Sequence, residues 1–156
     1  MGILIFSYMH IKRFLEWIAF KEMLHSIIHK PPLVSEGEMW WASLGENIGA
    51  EINGKSYKFS RPVVILKKVA SGFYLAIPVT TQVHYGTWYV NFKQRGVEMS
   101  ACLHQVRSID YRRLLPPCLG QLDDPDFNRV KEGFLKLCQK NMSLPFLGGV
   151  AGKSRK

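Results

Sequence analysis

From residue 12 to residue 29 the chain reads KRFLEWIAFKEMLHSIIH. Its apolar positions Phe14, Leu15, Ile18, Leu24, Ile27 and Ile28 lie mostly three or four apart, with no Gly or Pro among them. That period predicts an amphipathic helix, unusually apolar, which Pro31-Pro32 ends because proline has no amide to donate. The helix makes residues 1–32 an appendage, packed on the main domain or on a partner. Its charges are mixed in sign, which argues against a helix lying in a membrane interface. The period then changes. Residues 38–43, 62–67, 72–79, 87–92, 99–103 and 106–109 are short runs rich in Val, Ile, Tyr and Trp, separated by Gly, Pro and polar turns. Five or six strands at such close spacing predict a small barrel or half-barrel over residues 36–142. The last element is a helix over 125–140, with Asp124 as N-cap, Pro125 at its first position and Asp126 in its first turn. Phe127, Val130, Phe134 and Leu137 form the stripe it lays on the barrel, and Gly133 weakens it by about 1 kcal/mol relative to Ala. The Gly-rich, basic tail over 143–156 is expected to fray.

Composition narrows the class. At 156 residues, 47% hydrophobic and 21% charged, the chain has the size of one domain with a packed core and is not disordered. Its net charge of +9 is unevenly spread. The 46 residues between Glu51 and Glu98 hold no acid and seven bases: Lys55, Lys58, Arg61, Lys67, Lys68, Lys93 and Arg95. A basic, acid-free middle suits a polyanion, most simply nucleic acid, though a solvated basic surface reads the same on composition alone. Cys102, Cys118 and Cys138 are odd in number and share no CxxC spacing, so a reducing cytoplasm is the default compartment. Residues 1–9 are apolar but short, and charges follow at once, so neither a signal peptide nor a membrane partner is expected; Met9 is an alternative start. His25 and His29 are four apart without a nearby third ligand, and no metal or cofactor is expected.

Four segments carry a more specific message. They are GEMWWASLGENIGAEINGK (37–55), SRPVVILKK (60–68), AIPVTTQ (76–82) and HQVRSID (104–110). In this order and spacing they resemble the MazF/PemK family, the toxin components of bacterial toxin–antitoxin pairs. The resemblance implies a small Src-homology-3-like β-barrel (the MazF/PemK/CcdB-type toxin fold), mainly β, with a C-terminal helix. The N-terminal helix would be extra to it. It further implies a homodimer and a metal-independent endoribonuclease acting on single-stranded messenger RNA, with a cognate antitoxin peptide as partner. A module of the same fold that binds nucleic acid, or a protein such as gyrase, without cutting is the alternative, since fold alone does not decide function. A decayed toxin that only absorbs antitoxin is a third reading.

RNA can be cut without metal when a base takes the 2′-hydroxyl proton and a cation stabilises the charge on phosphorus. An acid must also assist the departing 5′-oxygen. Arg61 suits the cationic role, with a permanently charged, fork-shaped guanidinium set in an extended backbone by Pro62. The resemblance places the family's catalytic Arg here and its second catalytic position at Thr80, with Thr81 on the opposite face of a regular strand. Glu51 matches a carboxylate proposed for some members, as base or as a partner orienting Arg61; paired with Lys55 it would be an ordinary loop residue. His104 stands where several members carry an acid and is a competent base at neutral pH. Gln105 is expected to read a base edge or position the backbone, and Gln82 to close the site after Thr81. Ala50 replaces a small hydroxyl residue. The loop residues Lys55, Tyr57, Lys58 and Phe59 offer two cations and two rings for gripping unpaired nucleotides. Trp88 and Tyr89 could add stacking, with one of the two in the core. Cys102 reads as core and not as nucleophile.

Overall fold

A computed structural model describes residues 12–139. The expectations for residues 1–9, for the start at Met9 and for the tail after Ser143 lie outside them.

Helix α1 (Phe14–Ser26) is followed by β1 (Glu38–Ser43), β2 (Ser60–Ala70) and β3 (Phe73–Thr80). Then come β4 (Tyr89–Gln94), β5 (Val97–Cys102), β6 (Arg107–Asp110), β7 (Leu114–Gln121) and helix α2 (Asp124–Cys138). The strands form one antiparallel sheet ordered β4-β5-β3-β2-β1-β7, with β6 also on β3. The path is open. Among the described residues no ladder joins its two ends, β4 and β7, so the expected barrel is not closed by strand pairing.

β2 and β3 carry the architecture because both of their faces are buried. Val64, Leu66, Ile77 and Val79 point to a core completed by Phe127 and Val130 of α2. The alternating Val63, Ile65, Tyr74 and Ala76 point to a second core with Val34, Ile109 and Leu114. This is why PVVIL reads as a continuous apolar run and not as an alternation. α2 lays down its expected stripe, with Phe127 and Val130 buried and Phe134 and Leu137 against the same core. Its cap is Asp123, one residue earlier than expected: the Asp123 carboxylate accepts the Asp126 amide at 2.8 Å. Gly133 has a packing reason, since a β-carbon there would come within 2.8 Å of Leu103 and 3.1 Å of Val90.

β7 has no counterpart in the sequence reading. Pro116 and Pro117 cannot donate to a ladder and read as loop. They are tolerated because β7 ends the path, pairing with β1 through Leu114 and Leu115 and again through Gly120 and Gln121. A register shift opposite Met39–Trp41 takes up the prolines between.

β3 positions the site. β5 pairs with its C-terminal end (Val79, Thr80) and β6 with its N-terminal half (Phe73–Ala76). The 3₁₀ turn Leu103–Gln105 makes the crossing, so His104 and Gln105 arrive beside Thr80.

α1 buries Trp17 and Leu24 and leaves Leu15 and Ile18 exposed. Trp17 and Phe20 pack on Phe59, and with Leu24 the four form a small separate cluster. Lys12 pairs with Glu46 at 3.3 Å, and Arg13 donates to the Ser56 carbonyl at 3.1 Å. The helix therefore sits on the loop between β1 and β2. Among the described residues no helix is long and apolar enough to cross a membrane.

Candidate functional site

The loop over 44–59 is built to hold a shape. The Asn47 amide donates to the Asn53 side-chain oxygen at 2.6 Å, and the Asn47 Nδ2 donates to the Ile52 carbonyl at 2.8 Å. Gly54 donates to the Gly45 carbonyl at 2.8 Å, and Lys55 and Ser60 exchange two backbone hydrogen bonds. Three arginines grip carbonyls in it or at its entrance: Arg113, in the 3₁₀ turn before β7, that of Ser43 at the end of β1 at 2.9 Å, Arg107 of β6 that of Leu44 at 3.2 Å and Arg61 of β2 that of Asn53 at 2.8 Å. Gln105 closes the far side. Its Oε1 accepts the Ile52 amide and its Nε2 donates to the Ala50 carbonyl, both at 3.1 Å. Both ends of its amide are thus engaged with the loop backbone.

Arg61 and Thr80 stand between two depressions and line both. The larger, about 430 Å³, is bordered by Lys55, Lys58, Thr81 and Trp41. The smaller, about 240 Å³, is bordered by Gln82, His84, Tyr89, His104 and Gln105. Arg61 spends Nε on the Asn53 carbonyl, and its two terminal nitrogens have no protein partner among the described residues. Burial pulls its guanidinium below the ordinary value, opposed by Cys102, yet a guanidinium stays charged at neutral pH. A half-buried, directed cation acts more strongly on a phosphate than a solvated one.

The Thr80 hydroxyl accepts the Gln82 amide at 3.2 Å. Thr81 does not turn to the opposite face; β3 ends at Thr80, alternation stops, and both threonines line the larger depression. Glu51 does not orient Arg61 and forms no ion pair with Lys55. Its carboxylate accepts the Ile48 amide at 3.0 Å, and the guanidinium it influences is that of Arg107. His104 is exposed, with Nδ1 3.4 Å from the Trp88 carbonyl and its ring edge-on to Trp88 and Tyr89. Lys55, Tyr57 and Lys58 are exposed at the loop tip, the Lys58 ammonium lying 5.6 Å from the Tyr57 ring centre.

Phe59 corrects the sequence reading. It is 2% exposed, its ring covered by Trp17 and Phe20 with the Arg13 guanidinium above it, and it has no surface to offer a nucleotide. Its positive φ of 49° turns it inward beneath α1. Trp88 and Tyr89 also differ from expectation: Trp88 is exposed, Tyr89 half-buried, and neither joins the core. Cys102 is buried as expected. The acid-free stretch is divided by the fold. Lys67 is paired with Glu36 at 2.8 Å, Lys68 follows it in β2, and Lys93 and Arg95 lie at or near the β4–β5 turn, which leaves Lys55, Lys58 and Arg61 at the groove. His84 and Trp41 are the site residues that sequence reasoning missed; a lone loop His and a strand Trp give no local signal of a cavity. No group of three or more His, Cys, Asp or Glu that could hold a metal occurs among the described residues.

Residues 35–138 match the model of the PemK-like, MazF-like toxin of type II toxin–antitoxin systems, two thirds of the chain. The chain belongs to this family. All predicted site residues of the toxin lie within the matched span, and α1 lies before it. Among solved structures, the toxin fold is similar to MazF from Deinococcus radiodurans, with TM-score 0.58, 21% identity, and coverage of 69% of this chain and 97% of that one. It is also similar to an endoribonuclease in complex with its cognate antitoxin from Mycobacterial species, with TM-score 0.54, 12% identity, and coverage of 68% and 95%. A MazE-MazF structure from Deinococcus radiodurans gives TM-score 0.54 and 19% identity, with coverage of 69% and 96%. At these identities the likeness is one of fold. No curated protein matches the sequence significantly.

Proposed function

We propose that this toxin is an endoribonuclease that cleaves single-stranded messenger RNA without metal, acts as a homodimer in the cytoplasm and is neutralised by a cognate antitoxin peptide. The observation that carries the reading is Arg61: half-buried, aimed by the Asn53 carbonyl, its terminal nitrogens without a protein partner among the described residues, and lining with Thr80 both depressions. A phosphodiester seated there has cation and hydroxyl for its non-bridging oxygens, and room for a nucleotide on each side.

The nucleophile is the RNA's own 2′-hydroxyl. Its oxygen attacks the adjacent phosphorus, His104 takes the proton, the bond to the 5′-oxygen breaks, and the products are a 2′,3′-cyclic phosphate and a 5′-hydroxyl. Arg61 and Thr80 stabilise the added charge on phosphorus. The His104 Nδ1, near the Trp88 carbonyl, suits the tautomer in which Nε2 is the free acceptor a base requires. Gln105 and the three arginines hold the loop against which the strand lies, and Lys55, Tyr57 and Lys58 grip flanking nucleotides.

Purified protein incubated with mixed-sequence single-stranded RNA in excess chelator should give fragments with 2′,3′-cyclic phosphate ends. The Arg61→Ala variant should lose at least about 100-fold in rate. RNA left intact by the wild-type protein would overturn the reading in favour of a non-catalytic binding module.

A further inference from the structure

His84 lies in the connection between β3 and β4, yet it is held as firmly as a strand residue. Its amide donates to the Ser100 hydroxyl at 2.9 Å, and its carbonyl accepts the Asn91 side-chain amide at 2.9 Å. The Ser100 hydroxyl in turn donates to the Asn91 side-chain oxygen, closing a ring of three hydrogen bonds. Ser100 is fully buried and pairs in register with Thr80, so the ring fixes His84 relative to the threonine of the site. The His84 imidazole stacks on the Tyr89 ring, centroids 4.7 Å apart and planes 18° apart. Tyr89 also contacts His104, edge-on at 5.2 Å. Both imidazoles line the smaller depression with Arg61 and Thr80.

Resting on the endoribonuclease reading, we propose that His84 is the general acid of the cleavage, protonating the departing 5′-oxygen while His104 removes the 2′-hydroxyl proton. The two histidines differ in ways that divide these roles. His104 has a carbonyl beside Nδ1, which suits the tautomer with the proton on Nδ1 and Nε2 as the acceptor. His84 has no side-chain hydrogen bond among the described residues and its plane is fixed by stacking on Tyr89, so its ring N–H is free to donate to the departing oxygen. The titratable or charged groups around the pair are Arg61, Tyr89 and Cys102 in the same depression, Glu51 and Arg107 in one depression adjoining His104, and Arg129, Glu132, Lys136 and Cys138 in another. The balance is complete: one proton passes from O2′ to His104, one from His84 to O5′, and the phosphorus exchanges one P–O bond for another. Later hydrolysis or solvent exchange resets both rings.

The test uses an RNA oligonucleotide spanning a site mapped with the wild-type protein, in two forms. One is ordinary RNA; the other carries sulfur in place of the scissile 5′-oxygen, a leaving group that needs no proton. His84→Gln should slow cleavage of ordinary RNA by about 100-fold or more and cut the sulfur-substituted RNA within a few-fold of wild type. His104→Gln should slow both. The ring through Ser100 and Asn91 uses only the His84 backbone, so the variant keeps it, and an unchanged thermal midpoint checks this. Equal slowing of both substrates, or no slowing of either, overturns the assignment while leaving the endoribonuclease reading intact. A wild-type protein that cleaves no RNA removes that reading and the acid with it.

Discussion

Trp17 of α1 covers Phe59 of the β1–β2 loop, with ring centroids 5.4 Å apart and planes inclined by 55°. A β-carbon on Gly45 would lie 2.4 Å from the same indole, so backbone and ring close on each other without space between. The helix thereby clamps the loop whose tip carries Lys55, Tyr57 and Lys58.

Removing that indole should release the clamp. Trp17→Ala is expected to cost about 3 kcal/mol, as for a buried aromatic. Leu15→Ala, on the exposed face of the same helix, should cost less than about 0.5 kcal/mol. Urea denaturation of both variants measures the difference. Faster amide exchange in the loop of Trp17→Ala, with β2 and β3 unchanged, would locate it.

Two loop glycines should differ in how much a side chain costs. A β-carbon at Gly54 would fall 1.6 Å from the Phe59 carbonyl oxygen, a backbone atom that cannot step aside. Gly54→Ala should therefore destabilise by at least about 3 kcal/mol. At Gly49 the space is open and only the positive φ of 56° opposes a side chain, so Gly49→Ala should cost about 1 kcal/mol. Thermal denaturation of the two variants in parallel decides it.

Burial raises the Cys102 thiol above its ordinary value, the Arg61 charge opposing more weakly. A group with a raised folded value favours folding below its unfolded pKa, about 8.5 for a thiol, and loses that contribution as pH climbs towards the folded value. Stability should thus decline above about pH 8.5, and Cys102→Ala should flatten the decline. Iodoacetamide should label exposed Cys138 in the native protein and reach Cys102 only after denaturation.

The groove cations predict a salt dependence. Affinity for a 2′-O-methyl oligonucleotide, which lacks the attacking hydroxyl, should fall linearly with salt on logarithmic axes. Replacing Lys55 and Lys58 together by Ala should reduce the slope by about 1.4, roughly 0.7 for each lost contact. Lys67→Ala should leave it unchanged, because Lys67 is committed to Glu36. Fluorescence anisotropy at four salt concentrations reads all three proteins.

Much of the fold is legible in local pattern. The stripe from Phe127 to Leu137 and the apolar runs of β1, β2 and β3 declare themselves, because a helix or strand chooses its faces from residues at most four apart. Motif order brings the chain to its family and points to Arg61 and Thr80. β7 is hidden by Pro116 and Pro117, harmless only because that strand ends the sheet. Phe59 reads as an exposed ring beside a lysine, since nothing near it in the chain announces that Trp17, forty-two residues earlier, will cover it. His84 is silent for the same reason.

Periodicity and motif spacing thus set the helices, most strands and the basic character of the groove, all consequences of near neighbours. Which ring is buried, which carboxylate faces which arginine, and which histidines share a cavity with Arg61 were decided by packing. Those contacts join a helix, a loop and four strands separated by tens of residues, and a contact's strength depends on distance in space, which sequence separation does not encode.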